Sequence, residues 1–129
     1  MAALQRDDVT RWVDFYEAAW RTAGTEPLAA LFTPDAGYRM SPYEGLVTGL
    51  PAIAELWEAE REGPDEGFAM EHEIVAVDGD TAVVRVEVRY DRPPGEYVDL
   101  WLIRFAPDGR CAAFEEWPYW PGQELSGRG

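Results

Sequence analysis

The chain has 129 residues, of which 47% are hydrophobic, enough for one domain with one packed core and too many for a disordered chain. Its net charge of -14 repels phosphate backbones and acidic lipid, which sets nucleic acid and membrane surfaces aside as partners. One cysteine, Cys111, cannot form an internal disulfide, and no Cys/His cluster spells a metal site, so neither metal nor cofactor is expected.

No apolar run approaches the roughly 20 residues that span a bilayer. The opening MAALQRDDVT lacks a basic start and an apolar signal core, so the expected location is the cytoplasm. All 11 basic residues are arginine, which leaves no lysine for Schiff-base chemistry. Six tryptophans and six tyrosines serve equally as core or as the lining of a pocket for a small organic molecule.

Residues 7–23 have a helical pattern, with Asp7 or Asp8 as cap, Val9, Trp12, Val13, Tyr16 and Trp20 on one face, and Gly24 as the stop. A short second helix follows, capped by Thr25, with Pro27 just inside its start. Thr33-Pro34-Asp35 breaks the chain before a short strand over 36–40 and the loop SPYEGLVTG. Pro51 opens a third helix, PAIAELWEAERE, whose inner face is Ile53, Leu56, Trp57 and Glu60. After Gly63-Pro64 the period becomes two, and four strands are expected over 68–77, 81–90, 96–105 and 110–117. The tail 122–129 is polar and Gly-rich, and is expected to fray from a single domain over 1–121. This order predicts an α+β fold, a curled antiparallel sheet forming a cone with three helices on its concave side.

The strand over 81–90 carries Ala82, Val84, Val86, Val88 and Tyr90 on one face and Arg85, Glu87 and Arg89 on the other. The simple assignment buries the valines and solvates the charges. A two-residue turn centred on Asp78-Gly79 argues for another: it pairs His72 with Arg85 and Met70 with Glu87, so the charges share a face with Phe68, Met70, His72 and Ile74. On that register the charges enter the cone and the valines lie on the convex side, where a second copy would cover them. A three-residue turn would reverse it. On the next strand Asp99 lies between Tyr97 and Trp101 as a lone carboxylate, either wetted at the edge or buried with a raised pKa.

The segments WVDFYEAAW, EPLAALFTPDAGYRMSP, GLPAIAELW, VDGDTAVVRVEV and LIRFAPDGRCAAFEEW together resemble the NTF2-like superfamily, notably its SnoaL-like and limonene-epoxide-hydrolase-like members. The resemblance covers the chain to about Pro121 and implies the cone fold. Tyr16 matches the first-helix tyrosine of ketosteroid isomerases, while Met40 and Trp101 stand where those enzymes carry their two acids. SnoaL-type cyclases use an aspartate beyond the last strand, where this chain has Pro118-Tyr119-Trp120-Pro121. The epoxide-hydrolase pattern aligns Arg85-Val86-Glu87, Glu116 and Tyr38-Arg39-Met40, with glutamates in place of both aspartates and Met40 in place of an asparagine.

What the resemblance implies is general acid–base chemistry of hydrolase, isomerase or cyclase type on a small apolar substrate. Glu116 and Glu87 would form the acid–base pair, Arg85 would organise them, and Tyr38 and Tyr16 would donate to an oxyanion. His72 is an alternative base. Trp20, Met40, Trp57, Asp99, Trp101 and Phe114 complete the expected ligand pocket. The competing reading is a ligand-binding or assembly domain without chemistry. The expected partners are a small organic molecule and a second copy, joined through the convex sheet with Cys111 near the contact.

Overall fold

The computed structural model describes residues 3–60, 67–91 and 94–123. The expected end of the third helix at 61–62, the Gly63-Pro64 stop and most of the tail, 124–129, lie outside them. The elements run α1 (Arg6–Trp20), α2 (Leu28–Leu31), β1 (Phe32–Arg39), β2 (Val47–Thr48), α3 (Leu50–Glu60), β3 (Phe68–Asp78), β4 (Thr81–Asp91), β5 (Pro94–Phe105) and β6 (Cys111–Tyr119). The strands form one sheet in the order β2-β1-β6-β5-β4-β3. It is not purely antiparallel. β1 runs parallel to β6, with Tyr38 beside Phe114, because the helical segment between β1 and β3 lets the later meander return alongside β1. The Thr33-Pro34-Asp35 break lies inside β1, as an irregularity in its pairing between Phe32 and Gly37. Within SPYEGLVTG, Val47 and Thr48 pair with Tyr38 and Gly37.

The backbone N–H of Gln5 donates to Asp8 at 2.9 Å, so the helix begins one residue earlier than expected. Val9, Trp12, Val13, Tyr16 and Ala19 form its buried face. The Trp12 indole donates to the Leu31 carbonyl at 2.9 Å and ties α2 to α1. Two arginines fasten α1 to the edge strand β3, Arg6 donating to the Ile74 carbonyl at 2.9 Å and Arg21 to the Phe68 carbonyl at 3.0 Å. They use acceptors that a sheet edge otherwise leaves open. No helix among the described residues is long and apolar enough to cross a membrane.

The β3–β4 register decides which face of β4 is interior, and it differs from the Asp78-Gly79 expectation. The turn is centred on Gly79-Asp80, with Asp78 opposite Thr81 and Ala76 opposite Val83. Gly79 has φ 63°, as such a turn requires. This shift alone would still place Ile74 on the face of Arg85. A bulge at Val75 changes the phase, so that Ile74 meets Val84, His72 meets Val86 and Met70 meets Val88. Ala82, Val84 and Val86 are therefore fully buried inside the cone. Arg85 and Glu87 lie on the convex face, their side chains 46% and 50% exposed and 3.7 Å apart. The valines cannot be the dimer surface, since this chain already covers them. Cys111 is in the core beside Phe32 and Phe105 rather than at a convex contact, and burial pushes its thiol up to about 12.

Replacing Val86 with alanine should lower unfolding stability by about 2 kcal/mol through lost contacts and a cavity. Replacing Arg85 with alanine should change it by less than about 0.5 kcal/mol. Urea denaturation of the two variants checks the assignment, and the opposite ranking would return Arg85 to the interior.

Candidate functional site

The concave face encloses a cavity of about 470 Å³, within the roughly 300–1,000 Å³ typical of small-molecule sites. Its floor is set by strand alternation. On β5, Tyr97, Asp99, Trp101, Ile103 and Phe105 face inward. On β6, Glu116 lies directly opposite Trp101, and Pro118 opposite Asp99. Glu116 is thus the diagonal neighbour of Asp99 on the same face, within reach of a long side chain. Asp99 has Val86 on its other flank, and this apolar bracket leaves it 4% exposed.

Burial raises the Asp99 pKa, while the approach of Glu116 and of the Trp101 indole acts the other way. Burial also drives the Glu116 pKa well above the usual carboxylate range, reinforced by its hydrogen bond to Asp99 and by the charges of Asp99 and Glu60. Burial thus raises the pKa of both carboxyls, and their mutual contact adds to the rise of Glu116 while acting against that of Asp99. Asp99 Oδ1 and Trp101 Nε1 are both buried without a hydrogen-bond partner.

Two tyrosines approach this pair. Tyr16 comes from α1 and Tyr38 from β1, and their hydroxyls lie 3.3 Å apart. The Phe114 ring stacks on both, at centroid distances of 5.8 Å and 4.9 Å, and so aligns them. Burial raises both hydroxyl pKa values. For Tyr16 the neighbouring Tyr38 adds to the rise and then Glu116; for Tyr38 Glu116 adds to it, and hydrogen bonding to Tyr16 and Trp57 acts against it. Both stay protonated and can donate. The floor thus combines two carboxyls of raised pKa and two phenol donors beneath aromatic walls.

Tyr16, Trp20, Tyr38, Met40, Trp57, Asp99, Trp101 and Glu116, all expected from the sequence, line this cavity. Phe114 lies beneath it as a support. His72 is half-buried on the concave side of β3 and is not among the lining residues. Arg85 and Glu87 are outside on the convex face, so the Arg85–Glu87–Glu116 group does not assemble; the Val75 bulge is the reason. Asp99 occupies the place expected of Glu87 as partner to Glu116. Sequence reasoning missed the outer wall of Phe68, Tyr90, Tyr97 and Trp120. Its signal was available, because three of these aromatics fall on inward positions at the cavity end of their strands. Among the described residues, no group of histidine, cysteine and carboxylate side chains could hold a metal ion.

A family model for the SnoaL-like domain matches residues 9–114. The chain belongs to the SnoaL-like family. Comparison with curated proteins finds no match. Among solved structures, this SnoaL-like chain is similar to a candidate polyketide cyclase of Sinorhizobium meliloti, at 28% identity and a TM-score of 0.64 over 88% of this chain and 99% of that one. It is also similar to a candidate ketosteroid isomerase of Kribbella flavida DSM 17836, at 18% identity and a TM-score of 0.69 over 95% and 85%. An NTF2-like protein of unknown function from Burkholderia xenovorans LB400 matches at 12% identity with a TM-score of 0.68 over 95% and 91%. The fold of this SnoaL-like domain is therefore the NTF2-like cone, although β1 and β6 run parallel within it.

The buried pair predicts a pH signature. Glu116 has a folded pKa above its unfolded value of about 4.3, so its contribution to stability is fully present below that value and is lost as pH rises through the folded pKa. Glu116→Gln should raise the melting temperature at about pH 8, and the gain should shrink towards about pH 4. Calorimetric scans across that range check it; a pH-independent difference would mean that Glu116 titrates normally.

Proposed function

We propose that this SnoaL-like domain is a proton-transfer enzyme of isomerase or cyclase type, acting on a small, largely apolar molecule that carries a carbonyl group. The observation that carries the reading is the Asp99–Glu116 pair, two neighbouring carboxyls of raised pKa lining an aromatic cavity beside the Tyr16 and Tyr38 hydroxyls, which lie 3.3 Å apart. Two carboxyls whose environments separate their roles are a natural acid–base couple. Asp99 takes the proton from the carbon next to the carbonyl. Tyr16, Tyr38 or the Glu116 carboxyl donates a hydrogen bond to the developing enolate oxygen. The proton held by Asp99 then returns to another carbon in an isomerisation; in a cyclisation the enolate carbon adds to a second carbonyl carbon of the same molecule, whose C=O π electrons move to oxygen, and the Asp99 proton passes to that alkoxide. The isomerase and cyclase names of the structural neighbours agree with this class.

The chemistry can be tested without knowing the natural substrate. Incubating the protein with cyclic ketones and enones in deuterium oxide should speed deuterium incorporation next to the carbonyl, read by mass spectrometry. Asp99→Asn should slow that exchange by about 100- to 10,000-fold, the usual worth of a positioned base. Saturable binding without exchange, in wild type and variant alike, would favour the ligand-binding reading instead.

For assembly, we propose a two-fold homodimer through the convex face on residues other than the valines. Val83, Leu100, Leu102 and Trp117 are half-buried there and adjacent in register. Arg85 and Arg104 alternate around them with Glu87 and Glu115, a pattern that complements itself on rotation about a two-fold axis. Sedimentation at micromolar concentration should give a dimer for the wild type and a monomer for Leu102→Asp. A wild-type monomer would overturn the pairing and leave the cavity untouched.

A further inference from the structure

The outer end of the cavity is marked by a missing side chain. Inward positions recur at every second residue of a strand, about 7 Å apart. On β5 they run Phe105, Ile103, Trp101, Asp99, Tyr97 and Gly95, and β4 pairs with this strand without a break in register. The first five carry side chains that fill the cone or line its floor. Gly95, about 13 Å along the strand from Asp99, carries none. Glycine within a strand is a place where a ligand can come close to the backbone. Its partner on β4 is Tyr90.

Outside this point lies a second cleft of about 660 Å³. Tyr90, Gly95, Tyr97 and Trp120 line both this cleft and the inner cavity. Among the described residues these four are the boundary between the two spaces. Three of them are aromatic, with Tyr97 lying 6.0 Å from the Tyr90 ring and 6.2 Å from the Trp120 ring. Trp120 is half-exposed but held in place. Its backbone N–H donates to the Gln123 side chain, and the Gln123 N–H donates back to the Trp120 carbonyl, both at 3.1 Å. These bonds close a turn over Pro121 and Gly122, in which Gly122 has φ 80°. The boundary is therefore a fixed aromatic frame with one gap, at Gly95.

We propose that the Gly95 gap is a notch occupied by an unbranched chain of the ligand, so that the substrate is a chain-bearing ketone with its carbonyl head at Asp99 and Glu116 and its chain directed into the outer cleft. The position of the head rests on the proton-transfer reading, whereas the path of the chain rests on the lining of the two spaces. A methylene chain is slender enough for the space left by one absent side chain, and it buries its apolar surface between the rings on either side. A compact ligand would fill the inner cavity and leave the notch unused. A chain branched at the notch would meet the frame.

The test compares two ketones of the same formula by isothermal calorimetry on the full chain. One is 4-pentylcyclohexanone, whose chain is linear. The other is 4-(1,1-dimethylpropyl)cyclohexanone, whose carbons are gathered beside the ring. The linear isomer should bind about tenfold more tightly or better, because its outer methylenes are buried in the notch. Gly95→Val fills the notch with a residue that a strand accepts. It should weaken the linear isomer to the level of the compact one and leave the compact one unchanged. Gly95→Ala, a smaller plug, should remove part of the preference, and melting temperatures report whether each variant is folded. Equal affinities in the wild type, a preference that survives substitution of Gly95, an equal loss for both isomers, or no binding of either would overturn the proposal. Deuterium exchange is read separately. A preference for the linear isomer without exchange would uphold the notch and remove the chemistry, and exchange without that preference would do the reverse.

Discussion

Three short helices can cover only one face of a six-stranded sheet, and everything else in this protein depends on which residues that face presents. A strand alternates strictly, so a phase error of one residue would exchange its whole buried set for its solvated set. In β4 the choice is between the valine row and the Arg85–Glu87–Arg89 row. The single bulge at Val75 brings β3 into phase with the valine row. Once Val84 and Val86 point inward, their partners Trp101 and Asp99 must point inward too. From Trp101 the same rule fixes Glu116 on β6. The candidate site is thus a consequence of sheet phase carried across three strands.

That phase has an energetic cost at one place. A core of valine and aromatic rings is cheap to dehydrate, whereas two carboxyls beneath it are not. Raising their pKa is the least expensive way to hold them together, because a bound proton removes one charge and satisfies one acceptor. The contrast with the convex face is instructive. There Arg85 and Glu87 make an ion pair of 3.7 Å between half-exposed side chains, which contributes about 0–1 kcal/mol at most. Retaining buried acids where apolar residues would pack better is what sites with chemistry or recognition to perform do.

The aromatic rings have two distinct duties. Trp12, Phe32 and Phe105 pack edge to face and hold the helices to the sheet. Phe114 is a brace, aligning Tyr16 with Tyr38 from below. Trp20, Trp57 and Trp101 line the cavity, and Phe68, Tyr90, Tyr97 and Trp120 form a chain of ring contacts along its outer wall. Arg21 fixes one end of that chain, stacking its guanidinium 3.8 Å from the Phe68 ring centre while donating to the Phe68 carbonyl. The cavity is framed by α1, α3 and five strands, β1, β3, β4, β5 and β6, so that its lining side chains are held by regular elements.

Local sequence was sufficient for the elements and for most of the pocket. Helical spacing placed Tyr16, Trp20 and Trp57 on inner faces, and strict alternation placed Asp99 and Trp101 together on one side of β5. Those assignments depend only on neighbours along one element, where backbone geometry dictates the period. The partner of Asp99 was not legible in this way. Alternation within each strand says which residues share a face, but not which face is inside, and the run Ile74-Val75-Ala76-Val77 conceals a bulge because all four residues are apolar. A turn displaced by one residue and a strand bulged by one leave no distinct trace in composition. Only the packed sheet decided that Arg85 and Glu87 face water and that Asp99 meets Glu116, because that choice is made by burying the valine row against the helices, a long-range balance that no single segment contains.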